Sequence, residues 1–132
     1  MKIIIAGAGA VGTHLAELLS RENQDIVLID ESPEKTAKLS NAGDFDLLTM
    51  NISPTSIRAQ KEAGVQRADL FIAVTPDETR NITCCMLAHT LGAKKTVARV
   101  DNSEYMLPQS QDLRLRKHGF RIVHSRHGLL RS

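Results

Sequence analysis

The sequence has few of the residues on which several large classes of protein depend. It has no tryptophan and only 3% aromatic residues, which argues against the aromatic stacking platforms of single-stranded nucleic-acid binders. Its two cysteines, Cys84 and Cys85, are adjacent and lack the spacing of a disulfide framework or a zinc site. The formal net charge is only +2 and the basic residues form no long block, so we expect no nucleic-acid partner.

Long apolar runs are also missing. The run Ile3-Ile4-Ile5 is too short for a signal-peptide core or a membrane span, so we expect no direct membrane insertion. Free cysteines favour a reducing, cytoplasmic location, and a partner would have to bring the protein to a membrane. With 132 residues, of which 42% are hydrophobic, the chain has room for a single domain over residues 1–132.

Short apolar runs alternate with longer amphipathic stretches, a pattern typical of parallel βαβ units. We predict strands at residues 2–6, 25–30, 46–49, 70–74, 95–100 and 120–124. Because these runs are almost wholly apolar, both faces of the sheet should be covered by helices. The predicted fold is therefore α/β: a three-layer, doubly wound Rossmann fold whose six-stranded parallel sheet has the order 3-2-1-4-5-6.

Three pairs of a hydroxyl residue and a proline predict where helices begin, because Ser or Thr caps a helix and proline fits its first position. These pairs are Ser32-Pro33, Ser53-Pro54 and Thr75-Pro76. The third pair continues into Asp77-Glu78, which predicts a capping box with Thr75 as the cap. Glycines predict helix ends at residues 64 and 92. A further helix is predicted over residues 103–117, bent at Pro108.

The segment Gly7-Ala8-Gly9-Ala10-Val11-Gly12 matches the G-x-G-x-x-G fingerprint of dinucleotide-binding domains. It follows the first predicted strand and opens the first predicted helix, which is the context that this motif needs. Gly7 permits the tight turn, Gly9 lets a pyrophosphate approach the backbone, and Gly12 lets the helix pack against the strand. We expect these six residues to bind the cofactor, with backbone N–H groups at the helix start facing the phosphates.

Asp30 ends the second predicted strand, where a carboxylate accepts hydrogen bonds from the adenosine ribose. Glu31 adds a second acid that would repel a 2′-phosphate, and no arginine follows nearby in the sequence. NAD or NADH is therefore favoured over NADP. Since the glycine loop and Asp30 would contact only the adenosine diphosphate half, ATP or ADP is an alternative ligand.

Ligands of open α/β sheets bind at the carboxyl ends of the strands, which extends the predicted site to five more residues. These are Met50, Asn51, Val74, Thr75 and Arg99. Arg99 is placed to meet a phosphate or a carboxylate, and a surface ion pair fits it equally well. Thr75 could contact the nucleotide, although its role as a helix cap would account for it alone. We predict no catalytic residue and no metal site.

From these residues onward the chain resembles the TrkA N-terminal domains, the KTN or RCK nucleotide-binding domains that regulate potassium transport. The resemblance covers nearly the whole chain, and its middle part is more specific than the glycine loop. It is carried by residues 2–12, Ile29-Asp30, 62–65, Ala68-Asp69, 72–75, Asp77-Glu78, Asn81, Cys85, Leu87-Ala88, 98–100 and Glu104-Tyr105.

The resemblance implies a peripheral cytoplasmic subunit of a Trk-type potassium uptake system that senses NAD, NADH or, in related proteins, ATP and ADP. It implies a homo-oligomer, as a dimer or higher ring, and a membrane-embedded potassium transporter subunit as partner. Members of this family continue past the sixth strand, so we expect residues 1–132 to be the N-terminal part of a longer protein. The alternative is a fragment of an NAD-dependent dehydrogenase, which would need an acid-base group near the nicotinamide. No histidine or lysine stands at a predicted strand end that faces that position.

Overall fold

The apolar run near the N terminus becomes the central strand of a sheet. A computed structural model describes residues 1–40, 47–101, 120–124 and 129–131. The strands are β1 (Lys2–Ala6), β2 (Asp25–Ile29), β3 (Leu47–Met50), β4 (Leu70–Ala73), β5 (Lys95–Val100), β6 (Phe120–His124) and β7 (Leu129–Arg131). The helices are α1 (Ala10–Ser20), α2 (Pro33–Ser40), α3 (Ile57–Glu62) and α4 (Glu78–Leu91), with a 3₁₀ turn at Val65–Arg67.

The sheet confirms the predicted fold class. Its strand order is β3-β2-β1-β4-β5-β6-β7, and each neighbouring pair from β3 to β6 is parallel. The short strand β7 runs antiparallel to β6 and was not predicted, because three residues are too few to show a strand's periodicity. The helix predicted over residues 103–117 lies outside the described residues. None of the described helices is long and apolar enough to cross a membrane.

Alternate residues of β1 pack on opposite faces of the sheet, as strand geometry requires. Ile4 lies in a buried cluster with Cys84 of α4, whereas Ile5 lies in a second cluster with Ala16 of α1 and Leu39 of α2. The sheet therefore separates two helical layers, with α1 and α2 on one side and α4 on the other. The α3 helix lies beside α4, since the buried side chain of Gln60 donates to the Cys84 carbonyl at 3.1 Å.

Two of the predicted helix starts are wrong. Helix α3 begins after Ser56, whose hydroxyl accepts a hydrogen bond from the Ala59 N–H, and Ser53-Pro54 forms a turn before it that is closed by a bond from Ser56 N to the Ser53 carbonyl. A proline at the second position of a turn is equally compatible with its fixed φ. The helix ends are confirmed, because Gly64 and Gly92 both have positive φ.

The start of α4 also differs from the prediction. Its cap is Asp77, whose Oδ1 accepts from the N–H groups of Thr79 and Arg80, and not Thr75. Glu78 becomes the first helical residue, and its Oε2 accepts from the Asp101 N–H at 2.7 Å. The capping box is thus replaced by a single aspartate cap, which satisfies two helix N–H groups by itself.

A buried amide joins the beginning of α4 to the ends of β4 and β5. The Asn81 side chain is 1% exposed. Its Oδ1 accepts from the N–H and the hydroxyl of Thr75 at 2.9 and 2.6 Å. Its Nδ2 donates to the carbonyls of Thr75 and Arg99 at 2.9 and 2.8 Å. Thr75 is therefore held by Asn81, which explains why it does not act as the helix cap.

The first turn of α1 touches the end of β1. Gly7 has a φ of +115°, a conformation that favours glycine. A Cβ built on Gly12 would overlap the Gly7 carbonyl oxygen and lie 2.9 Å from its carbonyl carbon. A Cβ built on Gly9, by contrast, meets no atom within 4 Å.

We expect Gly12→Ala to lower the free energy of unfolding by about 1–3 kcal/mol, because the new methyl group must push the Gly7 backbone away. Urea denaturation measures the change. Gly9→Ala is the matched control and should cost at most about 1 kcal/mol, the scale of exchanging glycine for alanine at an N-cap, since a Cβ there meets no atom within 4 Å. Equal losses in the two variants would contradict this account of the contact.

Replacing Asn81 by alanine should cost about 1–3 kcal/mol of folding free energy, since buried polar groups of Thr75 and Arg99 lose their partners. The same urea experiment tests it. Thr90→Ala serves as control, because its hydroxyl bonds to the Met86 carbonyl on the exposed side of the same helix. A loss at position 81 no larger than that at position 90 would show that the amide does not hold these elements together.

Both cysteines are fully buried. Burial raises the pKa of the Cys84 thiol to about 12 and raises the pKa of Cys85 as well. The Cys85 thiol donates to the Val97 carbonyl at 3.3 Å. These features fit a packing role, because the reactive species of cysteine is the thiolate.

A thiol reagent such as Ellman's reagent should therefore react very slowly with the folded protein at pH 8, where Cys84 stays protonated. Both thiols should react at once in guanidinium chloride, which provides the reference rate. Rapid labelling of either cysteine in the folded protein would reveal a reactive site in place of a packed one.

Candidate functional site

The glycine loop has the geometry that the fingerprint predicts. It consists of Gly7, Ala8 and Gly9, between the end of β1 and the start of α1. The Gly7 N–H donates to the Ile29 carbonyl at 2.9 Å, and the first hydrogen bond of α1 runs from Thr13 N to the Gly9 carbonyl at 3.0 Å. Within the described residues, no side chain caps this helix.

The N–H groups of Ala10, Val11 and Gly12 accordingly have no carbonyl partner inside α1, as holds for the first turn of any helix. Ala10 and Val11 are exposed and apolar, so the polar groups that they offer to an anion are those of the backbone. The helix dipole makes this end of α1 partly positive. The open space at Gly9 lies directly before it, so an anion can approach the backbone closely.

The Asp30 carboxylate ties the glycine loop to the end of β2. Its Oδ2 accepts from the Ala8 N–H and its Oδ1 accepts from the Ser32 N–H, both at 2.8 Å. Sequence reasoning placed Asp30 in the site but missed this bond to the loop. Each carboxylate oxygen has a second lone pair, so Asp30 retains the capacity to accept a bond from a hydroxyl.

Met50, which ends β3, and Asn51, which follows it, lie beside Asp30. The Met50 carbonyl accepts from the Asp30 N–H at 3.1 Å, and the Met50 side chain packs against the core. The Asn51 amide donates to the Asp30 carbonyl at 3.2 Å and to the Thr36 hydroxyl at 2.7 Å. Both Asn51 donors are thus used within the protein, and they brace the segment that carries Asp30.

The remaining predicted residues lie on the other side of β1. Val74 and Thr75 follow β4 and are both buried. The Arg99 guanidinium donates to the Thr75 carbonyl at 3.3 Å, so Arg99 lies over the end of β4. Its guanidinium forms no ion pair with a carboxylate of the described residues. This contact and the Asn81 bonds described above hold Thr75 and Arg99 in place at the ends of β4 and β5.

Sequence reasoning missed Arg80. This residue lies in the first turn of α4, and its guanidinium forms an ion pair with Glu31. The observation that no arginine stands near Glu31 holds along the sequence but is wrong for the folded chain. No sequence signal could have revealed the contact, because the residues belong to different βα units and meet only where β1 lies between them.

The structure thus gathers the predicted residues along one edge of the sheet. The glycine loop, Asp30, Met50 and Asn51 form a connected group, while Val74, Thr75 and Arg99 form a second group across β1. Among the described residues, no cluster of three or more His, Cys, Asp or Glu side chains could hold a metal ion. The arrangement suits a ligand that carries both an anionic group and hydroxyl groups.

Comparison with known proteins identifies the family. A family model described as the TrkA-N domain matches residues 3–125. The Trk system potassium uptake protein TrkA of Haemophilus influenzae is 42% identical over 107 residues, and its homologue from Archaeoglobus fulgidus is 37% identical over 106 residues. Each match covers 80% of this chain and 23% of the relative, so the chain spans about a quarter of the length of these proteins.

Solved structures share the fold. The TrkA-N domain of the inner membrane protein ybaL from Escherichia coli has a TM-score of 0.76 at 16% identity, covering 96% of this chain and 88% of that one. The GsuK channel bound to NAD has a TM-score of 0.71 at 20% identity, covering 92% and 21%. The Shewanella denitrificans Kef CTD in its AMP-bound form has a TM-score of 0.68 at 22% identity, covering 93% and 72%.

At these identities the structural likeness supports the fold alone, whereas the family model spans most of the chain. The glycine loop, the carboxylate that follows β2 and the Asn81 network therefore belong to a known kind of domain, and this chain is a member of the TrkA-N domain family.

Proposed function

We propose that this chain binds NAD or NADH at the edge formed by the glycine loop and Asp30, and that binding regulates a potassium uptake system. One observation carries the proposal: an uncapped helix start, an open glycine and a carboxylate are held together by the 2.8 Å bond between Ala8 N and Asp30. This combination matches the two halves of an adenosine diphosphate, because N–H groups bind its phosphates and the acid binds its sugar.

The phosphates would lie in front of Gly9. Backbone N–H groups at the start of α1 provide hydrogen bonds, and the helix dipole adds favourable electrostatics. The absence of any atom within 4 Å of a Cβ built at Gly9 supports a fit, since a pyrophosphate has room to reach the backbone.

The adenosine ribose would lie against Asp30. The Asp30 carboxylate is half-buried and already oriented by the N–H groups of Ala8 and Ser32, so a ribose hydroxyl meets an acceptor whose position is set before binding. Met50 and Asn51, which contact the Asp30 backbone, would border the same pocket on the β3 side.

NAD or NADH is the ligand we favour, with ATP or ADP as the alternative. The GsuK channel, which shares the fold, is bound to NAD in one structure, and the Kef domain is bound to AMP in another. The glycine loop and Asp30 would contact the adenosine and phosphate groups that these nucleotides have in common. Competition between NADH and ATP for one site distinguishes the two ligands.

The regulatory role rests on the relatives' names, which place them in Trk potassium uptake systems. We infer that the protein acts on the cytoplasmic side of the membrane as a homo-oligomer, a dimer or higher ring, attached to a membrane-embedded transporter subunit. The nucleotide would bind one arrangement of the domains more tightly than another. Binding would therefore raise the fraction of protein in that arrangement, and the transporter would respond to this change.

A binding role fits the chemistry of the edge better than hydride transfer does. The loops after β1 to β4 contain neither histidine nor lysine, and the nearby cations Arg80 and Arg99 are arginines, which do not exchange protons at neutral pH. A dehydrogenase needs an acid-base group beside its substrate.

Calorimetric titration of the chain with NADH and ADP-ribose tests the proposal. We expect both to bind, Gly9→Val to abolish binding by blocking the pyrophosphate while leaving the fold intact, and Asp30→Ala to weaken it by about 1–3 kcal/mol. Asp25→Ala is the matched control, because Asp25 is an exposed aspartate at the opposite end of the same strand. Thermal unfolding of each variant separates loss of contact from loss of fold.

Failure of the folded wild-type chain to bind either ligand would remove the proposal. Unchanged affinity in both Gly9→Val and Asp30→Ala would mean that the nucleotide binds elsewhere.

A further inference from the structure

The ion pair between Glu31 and Arg80 crosses the end of β1. The strands β2 and β4 pair with β1 on opposite sides, and neighbouring strands lie about 4.8 Å apart. Glu31 leads into α2 on one face of the sheet, whereas Arg80 belongs to α4 on the other. The contact therefore joins the two helical layers across the end of β1, where the glycine loop begins and the proposed phosphates would lie.

The stability of α4 does not explain the presence of Arg80. A cation in the first turn of a helix is disfavoured by the dipole, and Asp77 already caps this helix. The two side chains are 31% and 52% exposed, and exposed ion pairs contribute little to folding. A basic residue at this position is therefore better explained by a ligand than by the fold.

The base of the Arg80 side chain is held firmly. The next residue, Asn81, is fully buried and makes four hydrogen bonds to Thr75 and Arg99. The first turn of α4 consequently keeps a fixed position relative to the sheet edge. Only the long Arg80 side chain needs to move for its guanidinium to leave Glu31.

We propose that Arg80 is a phosphate-binding residue of the nucleotide site and that Glu31 is a positioning residue, which holds the Arg80 guanidinium at the end of β1 until a phosphate replaces it. This inference rests on the proposed function, since it concerns how the same site recognises its nucleotide. A guanidinium binds carboxylates and phosphates with the same planar, two-pronged geometry, so the exchange needs no new arrangement of the backbone.

Arg80 would thereby favour nucleotides that carry phosphates. An anion bound at the start of α1 would be contacted from the α1 layer by N–H groups and from the α4 layer by Arg80. Adenosine offers no group that can displace Glu31 and gains nothing from this arginine. Glu31 lowers the affinity for phosphates slightly, because its bond to Arg80 must first be broken.

Titration of the wild-type chain, Arg80→Gln and Glu31→Gln with adenosine, AMP, ADP and ADP-ribose tests the exchange. Arg80→Gln should lower the affinity for ADP and for ADP-ribose about tenfold. Glu31→Gln should raise both affinities by a factor of about two to five, the range expected from the loss of an exposed ion pair. Adenosine should bind equally to all three proteins. A purely structural pair would instead make both variants change in the same direction.

Arg58→Gln and Glu62→Gln are matched controls, since they remove the same charges from an exposed i,i+4 pair on α3 and should leave every affinity unchanged. If the wild type binds ADP but the affinities of Arg80→Gln and Glu31→Gln do not change in opposite directions, this inference is overturned and the proposed function is not. Tighter ADP binding by Arg80→Gln would overturn it too, because Arg80 would then obstruct the site. No binding of any probe by the folded wild type would refute the proposed function and this inference with it.

Discussion

The close packing of α1 against the end of β1 is the constraint on which the candidate site depends. Gly12 lies so near the Gly7 carbonyl that no side chain fits between them. This contact holds the start of α1 at the sheet edge, directly beyond the central strand. Because the first turn of any helix has unpaired N–H groups, placing it there presents hydrogen-bond donors to the proposed phosphates without any charged side chain.

The carboxylate of Asp30 extends this arrangement to the neighbouring strand. Its bond to the Ala8 N–H joins the loop after β1 to the residues after β2, and the Asn51 amide braces the same segment from the β3 side. On the other side of β1, Asn81 joins the ends of β4 and β5 by donating to the carbonyls of Thr75 and Arg99. The sheet edge thus has two internally bonded groups of residues, one on each side of β1, and the ion pair between Glu31 and Arg80 is a direct link between the two sides.

The local sequence pattern predicted α3 and α4 but not the residues that cap them. Hydroxyl residues before prolines predicted caps at Ser53 and Thr75, yet the caps are Ser56 and Asp77. In both segments more than one residue could cap the helix, and the hydrogen bonds of the folded chain determine which one does. At Thr75 the deciding interaction is the bond to Asn81, which requires the start of α4 to lie against the end of β4.

The sequence by itself determined the fold class, the order of the parallel strands, the glycine loop and the acid at the end of β2. These features depend on residues that are close together in the chain or on periodicity within one element, so the pattern alone reveals them. Only the tertiary structure decided that Asp30 bonds to the loop, that Arg99 lies on the Thr75 carbonyl and that Arg80 reaches Glu31. Those contacts join residues from different βα units, and parallel pairing through crossover helices brings such residues together at one edge of the sheet.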